Sequence, residues 1–153
     1  MSKLARLVAV CVVGLLPIVV SPSTAHADPA LEIRYADDVG GTVAFDTPVY
    51  TNPEGYGIGG FKQDGDYVRV RDVYQHGAGV GVHWRIKTVA GDVLRRGICI
   101  DQEGYWAGNT QCNYNFGEGL RLEIRVGVCD GSKVDCTNLD NWSHFGAWRV
   151  TYA

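Results

Sequence analysis

Apolar and polar residues alternate with a period of two along several short stretches of the chain. The clearest stretch is 120–128, whose apolar members share one face: Leu120, Leu122, Ile124, Val126 and Val128. The opposite face carries Arg121, Glu123 and Arg125. Because successive side chains of a strand point to opposite faces, this pattern predicts a strand with one buried side.

Weaker versions of the same pattern predict seven further strands. They are placed at 31–35, 42–51, 67–73, 80–86, 93–100, 112–116 and 144–152. Gly91 and Asp92 form a turn signal that joins two of these strands in a hairpin. Residues 52–60 contain four glycines and are interpreted as a loop, and no window of the chain has a helical period.

Short strands with one apolar face and frequent turns predict an all-β fold of two packed sheets. Six basic side chains on the polar faces are expected to point into water: Arg69, Arg71, Arg85, Lys87, Arg121 and Arg125. The faces of Val, Leu, Ile and Trp are then left to pack against one another. The predicted fold is an antiparallel β-sandwich, immunoglobulin-like in architecture, and a small β-barrel is the alternative.

The first residues have the layout of a secretory signal peptide. Lys3 and Arg6 precede an apolar run at 7–20, and a small-residue motif at 25–27 follows. The apolar run is shorter than the roughly 20 residues of a membrane-spanning helix. The sequence therefore predicts an extracellular protein with a signal peptide at 1–27, an N-terminal arm or edge strand with a linker at 28–41, and a β-sandwich domain at 42–153.

Charge and cysteine content narrow the partners and the compartment. The formal net charge is −3, and the predicted signal peptide contains two basic residues and no acidic one, so neither nucleic acid nor a membrane is expected as a partner. Four of the five cysteines follow the signal peptide, which predicts disulfides in an oxidising compartment. Three pairings are open. Cys99 with Cys112 and Cys129 with Cys136 are favoured, because each pair brackets a short polar loop that contains glycine.

No constellation of residues identifies a reaction. Ser143 and His144 are neighbours in a predicted strand and should point apart, and the scattered histidines His76, His83 and His144 are interpreted as surface or turn residues. Four acidic pairs are interpreted as turn formers: Asp37/Asp38, Asp64/Asp66, Asp101/Glu103 and Asp130/Asp135. We therefore expect no catalytic residue, no metal ligand and no cofactor.

Three large aromatic residues stand in polar segments rich in glycine and asparagine, namely Tyr105, Trp106 and Trp142. The predicted disulfides adjoin both segments. Large aromatic side chains on stiffened loops offer contact area at a small entropic cost, and they are typical of protein interfaces and sugar-stacking platforms. The alternative is that these side chains fold back as lids over the ends of the sandwich.

The segment 31–35 is a second candidate contact. Leu31, Ile33 and Tyr35 share one face, and a polar, glycine-containing break follows them. The segment is interpreted either as the first edge strand of the domain, which the frequency of terminal strands favours, or as a mobile arm that adds itself as a strand to another protein.

The signal peptide and the segments YVRVRDVY, VHWRI, GICIDQEG, CNYNFGEGLRLEIRVGVCDG and WRV together resemble the small secreted two-disulfide β-proteins of actinobacteria. Within that group, residues 28–153 are similar in layout to the adaptor subunit of the umbrella-shaped toxin particles of streptomycetes. In those particles an N-terminal segment of a small β-sandwich docks into a stalk subunit, and the domain carries a lectin-like subunit. The resemblance implies that Leu31, Ile33 and Tyr35 form an inserting arm.

These observations favour a secreted, non-catalytic adaptor domain that binds another secreted protein. The expected contact residues are Leu31, Ile33, Tyr35, Tyr105, Trp106 and Trp142. A first alternative is a carbohydrate-binding module that uses the same aromatic residues on a glycan. A second is a small protease inhibitor that presents the loop 130–135, with Lys133 as its specificity residue. A hydrolase is the least favoured class.

Overall fold

The computed structural model describes residues 27–41, 44–75, 77–130 and 135–153, so the predicted signal peptide lies outside the described residues except for Ala27. Within these ranges the chain forms strands and a single turn of 3₁₀ helix at Leu139–Asn141. The strands are β1 (Leu31–Tyr35), β2 (Asp37–Asp38), β3 (Thr47–Tyr50), β4 (Gly57–Lys62), β5 (Tyr67–Asp72), β6 (Gly79–Lys87), β7 (Val93–Asp101), β8 (Thr110–Asn113), β9 (Arg121–Cys129), β10 (Trp142–Ser143) and β11 (Arg149–Tyr152).

The strands form two sheets. The first has the order β1-β7-β6-β9-β10, with β11 also paired to β9, and the second has the order β2-β8-β5-β4-β3. Every pairing is antiparallel except that of β1 with β7. The predicted β-sandwich is confirmed, and so is the hairpin of β6 and β7; the parallel edge pair is a departure from the antiparallel prediction.

The core lies between the two sheets and is filled by the apolar side chains that alternate along the long strands. Its fully buried side chains include Phe61, Val68, Val70, Val80, Val82, Trp84, Ile86, Leu122, Ile124 and Val126. The Trp84 ring lies at the centre, with its centroid 4.7 Å from that of Tyr114 and 4.9 Å from that of Phe116. The period-two pattern of the sequence therefore identified the inward faces of β5, β6 and β9 correctly.

Both favoured disulfides are present. Cys99 of β7 is bonded to Cys112 of β8, so this bridge ties the first sheet to the second through the core. Cys129, at the end of β9, is bonded to Cys136 and holds the segment that follows against the first sheet. Each bridge restricts the unfolded chain, typically by about 2–4 kcal/mol.

The interpretation of 52–60 as a loop is wrong in its second half, because β4 begins at Gly57. The glycines are needed where the second sheet approaches the first. A Cβ atom at Gly59 would lie 2.2 Å from Val82 Cγ2, and one at Gly57 would lie 2.3 Å from Val80 Cγ1. These glycines therefore permit the two sheets to pack closely. The prediction failed because glycine is also typical of turns.

Three predicted strands have other bounds in the structure. The strand expected at 144–152 is restricted to β11 (Arg149–Tyr152); β10 ends before this range, at Ser143, and the irregular segment between the two strands begins with His144 in a left-handed conformation (φ 51°). The strand expected at 112–116 begins at Thr110 and ends at Asn113. The strand expected at 42–51 is restricted to Thr47–Tyr50, and its first two residues lie outside the described ranges.

The expectation that all the basic side chains of the strands point into water is wrong for Arg69, and in part for Arg125, whose Nε atom is buried. Only 8% of Arg69 is exposed. Its guanidinium donates to the carbonyl oxygen of Ala44 (2.8 Å) and to Gln111 Oε1 (3.1 Å), so the segment before β3 covers it. Burial lowers the pKa of Arg69, opposed by the negative charge of Asp46.

The segment 31–35 is an edge strand of the first sheet. Leu31 and Ile33 are half-buried against a cluster on the outer face of that sheet, formed by Ile98, Ile100, Cys129 and Trp142. On the opposite face of the strand, Arg95 donates two hydrogen bonds to the Glu32 carboxylate (2.9 and 3.0 Å). The structure thus has the edge strand, and insertion of this segment into a partner stays a prediction.

Replacing Ile33 by Ala tests whether the edge strand is docked in solution. The change removes half-buried apolar surface, so we expect the free energy of unfolding, measured by urea denaturation, to fall by about 1–2 kcal/mol. Val89→Ala is the matched control, because Val89 is fully exposed in the turn between β6 and β7. Equal stability of the Ile33→Ala variant, the control and the wild type would show that the segment is a free arm.

Candidate functional site

A cleft of about 520 Å³ opens where β1 and β7 end. Because these two strands are parallel, their C-terminal ends lie at the same edge of the first sheet. The residues that line the cleft and bear on its chemistry are Tyr35, Asp72, Asp101, Glu103, Tyr105 and Trp106. The cleft therefore joins the end of the N-terminal strand to the loop between β7 and β8.

Three of the predicted contact residues meet at this cleft with their side chains exposed. Tyr35 is 49% exposed, Tyr105 is 40% exposed and Trp106 is 79% exposed. The rings of Tyr105 and Trp106 pack edge to face, with centroids 4.9 Å apart and planes at 77°. The prediction that Tyr105 and Trp106 stand out on a loop is confirmed, and their function as contacts stays a prediction.

Asp101 fixes the loop that carries the two aromatic residues. Its carboxylate is buried and accepts hydrogen bonds from the backbone N–H groups of Asp72 (3.2 Å), Glu103 (3.0 Å) and Gly104 (3.1 Å). Burial raises the pKa of Asp101, and these three hydrogen bonds oppose the increase. Asp101 thus holds the start of the loop to β5, as expected for a turn former.

Two other acidic pairs also contain a turn-forming carboxylate: Asp38 accepts from the N–H of Gly40 (2.8 Å), and Asp135 from the N–H of Thr137 (2.8 Å). Asp66 lies in the turn between β4 and β5, but its carboxylate accepts from the distant N–H of Phe116 (2.9 Å). Among the residues that the structure describes, no three His, Cys, Asp or Glu side chains are grouped so that they could hold a metal ion.

Trp142 does not stand on an exposed loop, so that expectation is wrong. It belongs to β10, pairs with Cys129 and is only 6% exposed. Its indole Nε1–H donates to the carbonyl oxygen of Cys136 (2.9 Å), and its ring packs on the outer face of the first sheet. In this structure Trp142 is a lid, in agreement with the alternative interpretation, and it offers almost no surface to a partner.

The six predicted contact residues therefore divide into two groups. Tyr35, Tyr105 and Trp106 line the cleft. Leu31, Ile33 and Trp142 belong to the apolar cluster on the outer face of the first sheet.

The prediction that His83 lies at the surface is wrong, because the structure buries it. The residue is 5% exposed beneath the rings of Trp142 and Phe145, whose centroids lie 4.6 and 5.0 Å from that of the imidazole. Burial, together with the nearby positive charge of Arg125, lowers the pKa of His83 to about 3. His83 lies on the polar face of β6, so the sequence pattern did not predict its burial. The rings that cover it come from a segment without a regular pattern. His76 lies outside the described residues.

Ser143 and His144 do not point apart. The strand ends at Ser143, and the left-handed conformation of His144 turns its ring back, so that Nδ1 lies 2.9 Å from Ser143 Oγ. Both residues are exposed at this position, and the His144 ring lies 5.0 Å from that of Tyr56. The pair does not line the cleft of Tyr35, Tyr105 and Trp106.

The inhibitor alternative depends on Lys133, and residues 131–134 lie outside the described ranges.

In the described part of the chain, no helix is long and apolar enough to span a bilayer. Comparison of this chain with protein-family models, with curated proteins and with solved structures finds no match.

The buried histidine predicts an acid-dependent loss of stability. An unfolded histidine titrates near pH 6.5, whereas native His83 stays neutral down to about pH 3. Between these pH values the unfolded state binds a proton that the native state does not, so the free energy of unfolding decreases as the pH falls. From pH 7 to pH 5 this contribution amounts to about 2 kcal/mol.

His83→Phe removes the titrating group and keeps an aromatic ring under Trp142. Urea unfolding of both proteins at pH 7 and pH 5 should show a loss in the wild type that is about 2 kcal/mol greater than in the variant. The same loss in both proteins would mean that His83 is accessible to protons in the native state.

Proposed function

We propose that this chain is an exported, non-catalytic adaptor that binds another exported protein through the aromatic cleft of Tyr35, Tyr105 and Trp106. The observation that carries the proposal is the convergence of these side chains. They come from two distant segments of the sequence, and all three are exposed around one concave surface. Exposed Tyr and Trp residues at a pocket are the features that most often dominate the energy of a protein interface.

The cleft is built on fixed elements. Asp101 holds the aromatic loop to β5, the disulfide between Cys99 and Cys112 ties the strands on either side of the loop together, and Cys136 of the second disulfide lines the cleft. A preorganised surface loses little conformational entropy when a partner binds. The aromatic side chains are therefore presented in a form suited to recognition.

The shape and charge of the cleft suit a protein segment. The nearly perpendicular rings of Tyr105 and Trp106 make an irregular pocket rather than a flat platform of coplanar ring faces. The described residues that line the cleft include the acidic residues Asp72, Asp101 and Glu103 and no Lys or Arg. A partner segment that carries Lys or Arg would complement this charge and could place its cation against the aromatic rings.

A carbohydrate-binding module is the second candidate. The observation that favours it is the 79% exposure of the Trp106 side chain, since one open indole face close to a carboxylate can stack on a sugar ring and accept its hydroxyl groups.

Export is supported by the predicted signal peptide and by the two disulfides, which fit an oxidising compartment. In its finer form the proposal makes the chain a subunit of an extracellular toxin particle of an actinobacterium. That form is supported by the resemblance of residues 28–153 to the adaptor subunits of the umbrella-shaped particles.

Affinity capture from the medium of the producing culture tests the cleft. The tagged wild-type protein should recover a defined exported protein, and Trp106→Ala and Tyr105→Ala should each reduce its recovery at least about tenfold, as expected when an interface loses an aromatic anchor. Tyr152→Ala is the matched control, because Tyr152 is 58% exposed on β11 and does not line the cleft. Recovery by the control should equal that of the wild type.

Undiminished capture by both cleft variants would contradict the proposed site. A glycan array probed with the same proteins separates the second candidate: glycan binding that is lost only in Trp106→Ala, together with no captured protein, would favour the carbohydrate-binding module.

A further inference from the structure

A second concave surface lies on the outer face of the first sheet, away from the aromatic cleft. This groove has a volume of about 330 Å³ and is lined by Leu31, His83, Arg85, Arg96, Arg125 and Trp148, among others. The groove and the aromatic cleft share no lining residue in the described part of the chain, so the groove is a site separate from that of the proposed function.

Arg125 is the central charge of the groove. Its guanidinium lies 3.8 Å from the ring centroid of Phe145 and 4.5 Å from that of Trp148. Within the described part of the chain, no carboxylate forms an ion pair with it, and its buried Nε atom has no hydrogen-bond partner. Burial and the like charge of Arg85 both lower the pKa of Arg125. An arginine in this setting lacks the acceptor that its geometry favours.

The neighbouring acidic groups are already engaged. The Glu123 carboxylate is shared by Arg85 (2.7 Å), Arg121 (2.7 Å) and Lys87 (3.7 Å). Arg96 pairs with Asp28 (3.2 Å), whose largely exposed side chain is the one carboxylate among the described residues that line the groove. The groove therefore has a surplus of positive charge on a chain whose net charge is negative.

His83 gives an independent indication of a missing acceptor or donor. The residue is 5% exposed and lies directly opposite Arg125 in the pairing of β6 with β9, and its Nε2 atom has no hydrogen-bond partner among the described residues. Buried polar atoms without partners are uncommon in native proteins, because each one loses the hydrogen bonds that it would make to water in the unfolded chain. Three such atoms belong to residues that line this groove, namely His83 Nε2, Trp84 Nε1 and Arg125 Nε.

We propose that this groove binds an oxyanion, a carboxylate or phosphate group, with Arg125 as its principal ligand and Arg96 at its rim. The planar fork of a guanidinium matches the two oxygens of either group. Trp148 positions the site, since its ring lies against both Arg85 (4.0 Å) and Arg125 (4.5 Å) and keeps two like charges side by side.

Nuclear magnetic resonance of the arginine Nε–H groups tests the proposal on the intact, disulfide-bonded protein. Inorganic phosphate and acetate are titrated separately at constant ionic strength, with chloride as the replaced ion. The Arg125 Nε–H signal should shift and saturate with at least one of them, whereas the signal of Arg71, an exposed arginine of the second sheet, should stay unchanged. Saturation at the lower concentration by phosphate or by acetate identifies the preferred group.

Variants provide the control for the assignment. Arg125→Gln should abolish the increase in the thermal midpoint that the preferred anion gives, Arg125→Lys should reduce it, and Arg71→Gln should retain it. If Arg125→Gln does not fold, Arg96→Gln, at the rim, should still weaken saturation of the Arg125 signal. A shift that is linear with both anions, or equal for Arg125 and Arg71, would overturn the proposal.

Discussion

Trp142 and Phe145 cover His83 on the outer face of the first sheet, and the burial of the central strands on this side depends on this contact. The second sheet already covers the inner face, so the central strands β6 and β9 are buried on both sides. The cover needs Gly81 beneath it, because a Cβ atom there would lie 2.4 Å from Trp142 Cη2. The bond from Trp142 Nε1–H to the Cys136 carbonyl ties the covering segment to the disulfide that begins at Cys129. Both candidate sites lie at the margins of this cover.

The sequence predicted the residues of the central strands that face the core between the two sheets. The alternation in 80–86 and 120–128 identified the core sides of β6 and β9, and the short polar loops identified both disulfides. A period of two assigns each strand one apolar and one wet face, so it could not show that His83 and Arg125 are covered as well. It also failed at β4, where Gly57 and Gly59 permit two sheets to approach each other.

The candidate site was predicted in part for a similar reason. Tyr105 and Trp106 lie in a polar loop and are exposed, as the composition of the loop indicated. Trp142 lies in an equally polar segment and is buried, because the neighbouring disulfide folds that segment onto the sheet. That Tyr35 lines the same cleft as Trp106 follows only from the parallel pairing of β1 with β7, which no local pattern encodes.

Strand β1 connects the two surfaces. Leu31, at its start, lines the cationic groove, and Tyr35, at its end, lines the aromatic cleft. If a partner displaced β1 from the first sheet, both surfaces would change together. If a partner bound the protein with β1 still docked, both surfaces would keep the form described above. The docked edge strand β1 therefore contributes one residue to each of the two candidate binding surfaces.

Photo-crosslinking from the cleft in the producing culture tests the central claim most directly. Gln102 is exposed and lines the cleft without being one of its aromatic residues, so a photo-reactive residue at that position leaves Tyr35, Tyr105 and Trp106 intact. If the cleft binds an exported protein, illumination should link that protein to position 102 and not to position 152 on β11. Crosslinking at position 152 with none at position 102 would contradict the claim that the cleft is the binding surface.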